Sequence, residues 1–372
     1  MDGTSLDVAI AAGGTAGHIN PALALAEELV ARGHRITFYG QPDRLEATLV
    51  PEAGFDFVPL HISGFDRSRP HTLVTALAKT AQAKKVVERR FDAEGVPDVA
   101  IGFGAYVELP LLDAARSRKV PTLIHEQNSV PGLANKIEAR SARRVCISFP
   151  AAAQAFKGDD VVMTGNPVRS SVMGATREGG RRRAGIPADA LVLLVFGGSL
   201  GARHINQGIA AAKAQVLARP DVYVIHSTGK GDYDDAVAEL ALAPSEAARW
   251  RVMPYISDMG DMLAAADLVL SRAGASSLAE IAALAVPSIL VPYPFATADH
   301  QTTNARFLVD AGAAELVADE QIDTPAFERE LLALLDDPGR RARMRAKAKG
   351  LGQERAASSL ADQVESVARA AR

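Results

Sequence analysis

The chain of 372 residues has a single cysteine, Cys146. One thiol excludes an internal disulfide and any zinc cluster built on cysteines, and it suits a reducing cytoplasm. No stretch reaches the about eighteen apolar residues that a spanning helix needs, so only attachment to a membrane surface stays open. The first residues, Met1-Asp-Gly-Thr-Ser, lack the basic region of an export signal, and residues 6–12 are too short for its apolar core. Neither charge sign is in excess: 41 Lys and Arg against 44 Asp and Glu leave a net charge of −3. Nucleic acid is therefore not expected as a partner. His-Glu-x-x-His and similar ligand spacings are absent, so no metal is expected. Asp232-Tyr-Asp234 has the form of a metal-binding pair but precedes a helical pattern, where aspartates serve as caps and favour the helix dipole.

What is present reads as a soluble α/β protein. Apolar content of 48% and charged content of 23% are globular values, and the length suits two domains that each bury a core. Short apolar runs alternate with helical patterns, as in parallel βαβ units. In the first half the runs are residues 8–12, 35–39, 55–60, 98–102, 122–125, 145–148 and 161–164. In the second they are 191–196, 222–226, 251–254, 267–271 and 288–292. Gly165-Asn-Pro-Val-Arg169 reads as the crossing between domains, with residues 174–185 as a polar, arginine-rich segment after it. The tail 356–372 reads as an amphipathic helix returning to the first domain. Expected domains are 1–169 plus that tail, and 170–355.

Two glycine loops follow the first strand of each half. Gly13-Gly-Thr-Ala-Gly-His18 precedes a helix expected from Asn20-Pro21, proline being favoured in a first turn. Gly197-Gly-Ser-Leu-Gly201 has the same placement, and His-Ile-Asn follows both loops, at His18–Asn20 and His204–Asn206. Two Rossmann-like halves would bring both loops to one cleft at the strand carboxyl ends. Neither loop has the Gly-x-Gly-x-x-Gly spacing of a dinucleotide site, which disfavours an NAD(P)-dependent dehydrogenase. Ser199 and the loop amides suit a phosphate, and His18 suits a general base or a buried structural histidine. The polar strand end His125-Glu126-Gln127-Asn128 marks a site or a cap. Residues 269–280 read as strand, turn and helix start, with Ser277 and Glu280 spaced as a capping box. Asp299-His-Gln301 opens another helix, with Asp299 or Thr302 as N-cap or Gln301 on a sugar. The basic run 340–349 reads as a solvated helix face. Residues 73–94 pair Lys79, Lys84, Lys85, Arg89 and Arg90 with Leu73, Val74, Leu77, Val86 and Val87, a pattern that serves core packing or an anionic membrane surface.

Taken in order, these motifs resemble the MurG family of peptidoglycan N-acetylglucosaminyltransferases. The residues that carry the resemblance are Gly13-Gly-Thr-Ala-Gly-His-Ile-Asn-Pro21, His125-Glu-Gln-Asn128, Gly165-Asn-Pro-Val-Arg169, Gly197-Gly-Ser-Leu-Gly-Ala-Arg203 with Asn206, Arg272-Ala-Gly-Ala-Ser-Ser-Leu-Ala-Glu280, and Asp299-His-Gln301. The resemblance implies a GT-B fold of two Rossmann-like domains, the first facing acceptor and membrane, the second binding UDP-GlcNAc. It implies inverting, metal- and cofactor-independent transfer of GlcNAc from UDP-GlcNAc to the MurNAc C4 hydroxyl of undecaprenyl-pyrophosphoryl-MurNAc-pentapeptide (lipid I), giving lipid II. The enzyme would work at the cytoplasmic face of the cell membrane, with partners among cell-wall synthesis and division proteins. The donor would meet Thr15, Ala16, Gly17, Asn128, Arg169, Ser199, Ile256, Ala275, Ser276, Ser277, Leu278, Ala279, Glu280 and Gln301, with Asn206 and Arg272 as further candidates. Glu280 would hold the ribose, Ser199 and nearby amides the pyrophosphate, and His18 would be the general base, with Glu126 as the alternative. The family often has glycine where this chain has Ala16, and large apolar and aromatic side chains where residues 73–94 have only Phe91. The competing readings are a GT-B-like UDP-GlcNAc 2-epimerase and a non-enzymatic sugar-nucleotide-binding protein.

Overall fold

A computed structural model describes residues 5–63, 72–158, 160–198 and 201–371. The chain divides into two compact units, Met1–Arg169 with Arg355–Arg372, and Ser170–Glu354.

The first unit is built on seven strands, β1 (Asp7–Ala11), β2 (Arg35–Gly40), β3 (Asp56–Pro59), β4 (Val99–Gly102), β5 (Thr122–Glu126), β6 (Arg144–Ile147) and β7 (Val161–Met163). They form one sheet in the order β3-β2-β1-β4-β5-β6-β7. Every pairing is parallel, as in Val8 opposite Ile36 on one side and Val99 on the other. All residues of β4 and β5 are buried, because crossover helices cover both faces of a parallel sheet. Among the described residues, the α-helices between these strands are α1 (Ala16–Ala31), α2 (Glu46–Glu52), α3 (Thr72–Glu94), α4 (Glu108–Ser117) and α5 (Leu133–Glu138).

The tail helix Ala356–Ala370 belongs to this unit. Leu360, Ala361, Val364 and Val367 enter the core that α1 lines with Leu23, Leu25 and Leu29. Arg32 reaches over to Asp362 at 2.7 Å and to Ser358 Oγ at 2.9 Å.

Six strands make the second sheet: β8 (Leu191–Phe196), β9 (Val222–Ser227), β10 (Trp250–Met253), β11 (Leu268–Ser271), β12 (Ser288–Leu290) and β13 (Ala314–Leu316). Their order is β10-β9-β8-β11-β12-β13, again parallel throughout. Two cores lie on its faces, one led by Leu194, Phe196 and Ile281, the other by Leu193, Trp250 and Leu331.

Several local expectations are corrected. Helix α1 starts at Ala16, so Pro21 lies inside it and the glycine loop is one turn shorter than the proline suggested. Residues 174–185 contain a helix, Arg177–Ala184, opened by Thr176 Oγ1 accepting Gly179 N–H at 3.1 Å. Its Arg181 is 3% exposed and donates to Asp267 at 2.7 Å. The basic run is the helix Pro338–Ala348, which buries Met344 and Ala348 and is solvated on one side only. The edge strand β13 had no distinct pattern in sequence, being three residues long.

Helix α3 packs on the core of the first unit along one face. Ala76, Ala83, Val87 and Phe91 are buried, while Val74 is 73% and Leu77 61% exposed. Lys84 is held by Asp113 at 2.8 Å. Among the described residues no helix is long and apolar enough to cross a membrane.

Candidate active site

In each sheet the order reverses beside the first strand, at β1/β4 and at β8/β11. Crevices form at such points because successive crossovers leave to opposite faces. Of the residues singled out in sequence, the loop after β1 and the helix start after β11 adjoin these places, each within its own unit.

In the first unit, the loop after β1 is gripped from below by Glu46, the first residue of α2, which is fully buried. Its carboxylate accepts Gly14 N–H at 3.1 Å and Gln41 N–H at 3.0 Å. Thr15 takes the N-cap position of α1 without capping it; its Oγ1 lies 3.3 Å from His18 Nδ1 instead. Ala16, Gly17 and His18 form the half-buried first turn. In the tautomer a base requires, Nδ1–H donates to Thr15 and Nε2 keeps its lone pair.

Glu126 ends β5 and is 2% exposed. Its oxygens accept Asn128 N–H at 2.9 Å, Gly132 N–H at 3.1 Å and Asn135 Nδ2–H at 2.8 Å. This carboxylate organises a loop. Beside it His125 donates Nε2–H to Gly165 carbonyl at 2.9 Å and accepts Gln127 Nε2–H on Nδ1 at 3.0 Å. Burial pulls its pKa down to about 4. Arg169 donates to Glu27 at 2.9 Å and keeps a half-exposed side chain.

In the second unit, Gly197 closes β8 where the loop folds back: a Cβ there would stand 2.3 Å from Ala202 N. Ser199 lies outside the described residues. After β11, the strand beside β8, comes the helix Ala275–Ala283, with Gly274 as N-cap and no side-chain cap bond. The expected Ser277–Glu280 capping box is therefore not formed, since Ser277 already stands in the first helical turn. The first backbone bond runs from Leu278 N–H to Gly274 carbonyl at 3.0 Å. The amides of Ala275 and Ser277 precede that ladder, and a helix start favours an anion. Ser276, Ser277 and Ala279 are half-buried, and Glu280 is 9% exposed on the face that Ser276 and Ser277 share.

Other candidates lie deeper than expected. Leu278 and Ile256 are core residues at 2% and 5% exposure. Asn206 is spent inside the fold, Nδ2–H donating to Thr228 carbonyl at 3.0 Å and Oδ1 lying 2.9 Å from His226 Nε2. Arg272 is buried against Asp319 and the carbonyls of Val291 and Pro292. Gln301 Oε1 accepts Ala273 N–H at 3.2 Å and Tyr293 N–H at 2.9 Å, tying two strand-end loops together. Asp299 adopts a left-handed conformation and accepts Thr302 Oγ1–H at 2.7 Å rather than capping. Asp232 likewise takes Arg203 at 2.9 Å, not a backbone amide.

The His-Ile-Asn repeat shares packing more than chemistry. Ile19 and Ile205 are both core residues. His204 lies 2.8 Å from Asp319 and 2.9 Å from Asp323; burial opposes its charge, but the two carboxylates hold its pKa above the ordinary value. It is a structural clamp.

Sequence reasoning missed Glu46, Glu108, Asn135 and Asp319. Only Glu108 carried a signal, a lone carboxyl inside the apolar run Tyr106-Val-Glu-Leu-Pro-Leu-Leu112.

Comparison with known proteins agrees with this architecture. Residues 8–147 match the glycosyltransferase family 28 N-terminal domain, and residues 192–364 match the family's C-terminal domain. A Halothermothrix orenii protein is 39% identical over 367 residues, covering 96% of this chain and 98% of its own length. It is named UDP-N-acetylglucosamine--N-acetylmuramyl-(pentapeptide) pyrophosphoryl-undecaprenol N-acetylglucosamine transferase. The chain belongs to the MurG family. The crystal structure of Acinetobacter baumannii MurG superposes with a TM-score of 0.73 at 30% identity, covering 98% of this chain and all of that one. MurG proteins and this chain share the GT-B fold, and the chain is a glycosyltransferase. A putative UDP-N-acetylglucosamine 2-epimerase from Listeria monocytogenes has a TM-score of 0.68 but 16% identity over 96% of this chain and 94% of its own. That likeness concerns the fold alone.

One pH effect follows from the interior of both units. His125 and His226 are buried neutral, each with its pKa pulled down to about 4 by burial. An unfolded histidine titrates near about 6.5. Between these values the unfolded chain binds a proton that the folded chain refuses, so stability falls as pH falls through that window, by about 3 kcal/mol per histidine. Thermal midpoints measured at about pH 7.5 and about pH 5 should drop markedly at the lower pH; an unchanged midpoint overturns the assignment.

Proposed function

We propose that this enzyme transfers GlcNAc from UDP-GlcNAc to the MurNAc C4 hydroxyl of lipid I, with inversion, and that His18 is its general base. In this reading the second unit holds the donor. The amides at the start of helix Ala275–Ala283 and the loop after Gly197 receive the pyrophosphate, where they stabilise the charge that develops on departing UDP. Glu280 meets the ribose and the Gln301 NH2 meets the sugar. His18 Nε2 takes the proton of the acceptor hydroxyl as its oxygen attacks the anomeric carbon.

The observation that carries the reading is the pair of strand-reversal sites, one offering a histidine on a half-buried helix turn, the other a helix start beside a carboxylate. The test supplies purified protein with labelled UDP-GlcNAc and a lipid I analogue. Label in the lipid product is expected. Conversion to UDP-ManNAc would favour the epimerase instead, and binding without turnover a sugar-nucleotide-binding protein.

Such an acceptor lies in a membrane, and the same reading puts the enzyme on the cytoplasmic membrane face. The exposed Val74 and Leu77 of α3 are the apolar contact. Replacing both with aspartate should reduce sedimentation with anionic vesicles, since each buried leucine or valine contributes about 1.5–3 kcal/mol. Unchanged sedimentation would remove α3 from the docking face.

A further inference from the structure

Behind His18 lies a carboxyl that the proposed reaction does not use. Glu108 opens α4 directly after β4 and its loop, and it is fully buried. Its Oε2 accepts Gly104 N–H at 2.6 Å, and its Oε1 is buried with no hydrogen-bond partner among the described residues. Burial pushes the carboxyl well above the usual range, against the pull of the Gly104 amide. Glu138 of α5 and Glu126 of β5 push it the same way, while the nearest cation of α4, Arg116, is bound to Glu138. A neutral acid fits this setting, its carbonyl oxygen taking the amide.

The loop it grips is unusual on both sides. Gly104 and Ala105 have φ of +80° and +65°, two left-handed residues in succession, one of them with a side chain. Such a turn relaxes unless its surroundings hold it. Across the loop, a Cβ built on Gly104 would stand 3.3 Å from His18 Cδ2, 3.4 Å from His18 Nε2 and 3.5 Å from Asn135 Nδ2. The imidazole thus faces Gly104 across a gap that a single methyl group would fill, and Asn135, which ties down Glu126, borders the same gap.

We propose that Glu108 is a positioning residue: through the amide of Gly104 it fixes the shelf that orients the His18 imidazole. It touches no substrate. Its effect on turnover rests on His18 being the base, whereas its effect on the imidazole does not.

The test compares Glu108→Gln with Glu108→Ala in the full chain. Glutamine keeps a neutral oxygen for Gly104 N–H, so Glu108→Gln should retain kcat, the acid limb of the pH profile and the His18 ring resonances in NMR. Glu108→Ala should lower kcat by about ten- to a hundredfold, as small displacements of reacting groups do, with KM for UDP-GlcNAc unchanged and the His18 resonances shifted. Gly104→Ala, which pushes on the ring directly, should reproduce this in a folded protein should Glu108→Ala not fold. The proposal is overturned if Glu108→Ala or Gly104→Ala leaves the His18 resonances in place, or if Glu108→Gln is as impaired as Glu108→Ala, which would require an ionised carboxylate. Intact turnover in His18→Ala would instead overturn the base assignment, with the NMR arm still deciding the role of Glu108.

Discussion

Replacing His18 with alanine is expected to lower kcat by about 10²–10⁴-fold, the usual contribution of a general base, and to leave the affinity for UDP-GlcNAc nearly unchanged. The two effects separate because the residues involved are separate. The loop that carries His18 is held by Glu46, through Gly14 N–H and Gln41 N–H, and the Thr15–His18 contact adds one exposed bond of 3.3 Å. Removing the imidazole therefore leaves the backbone of α1 and its glycine loop in place. The donor residues proposed here, Ala275, Ser277, Glu280 and Gln301, belong to the second unit. Single-turnover transfer and calorimetric donor binding measure the two quantities. Turnover within a few-fold of wild type would take the base away from His18.

Replacing Glu126 with alanine should instead act on stability. It strands Asn128 N–H, Gly132 N–H and the Asn135 amide, which the carboxylate receives at 2.9, 3.1 and 2.8 Å. Gly132 is exposed, and Asn135 Nδ2 keeps a bond to the His125 carbonyl at 3.2 Å. A buried donor left without a partner costs about 1–3 kcal/mol, so the total loss should be about 1–3 kcal/mol. For a unit of this size that lowers the thermal midpoint by about 2–12 °C. Those bonds are lost whatever the chemistry, so a base role would show as a loss of kcat of about 10²–10⁴-fold on top of the lower midpoint. Calorimetry measures the first effect and turnover of the folded variant the second. An unshifted midpoint would overturn the structural role, and a kcat loss of about 10²–10⁴-fold below the midpoint would restore Glu126 as a candidate base.

The tertiary structure also redistributes residues that look alike in sequence. Run 275–280 reads as one ligand-facing stretch, yet a helix turns its residues through 100° each. Leu278 goes to the core, while Ser276, Ser277 and Glu280 share the other face. The two His-Ile-Asn copies diverge for a similar reason: Asn206 is used up by Thr228 and His226, and His204 by Asp319 and Asp323. Their partners lie tens of residues away, where no local spacing reveals them.

Apolar periodicity alone determined that this chain makes parallel α/β sheets, because a strand covered on both faces must be apolar throughout. The ordered motifs determined its family, because glycine loops and polar strand ends recur at set places along such sheets. Helix starts were misjudged where a proline or a serine suggested a cap, since a cap depends on which amide the side chain meets. Only the folded chain decided which carboxyls are internal. Glu46, Glu108 and Glu126 each reach a backbone amide of a loop at a strand end, and for Glu46 that amide lies 32 residues away in sequence. The Glu46 bond arises from the close packing of strand ends in the sheet. Glu108 and Glu126 meet amides four and two residues away, and there it is burial by the surrounding sheet and helices, invisible in local spacing, that makes the carboxyl internal.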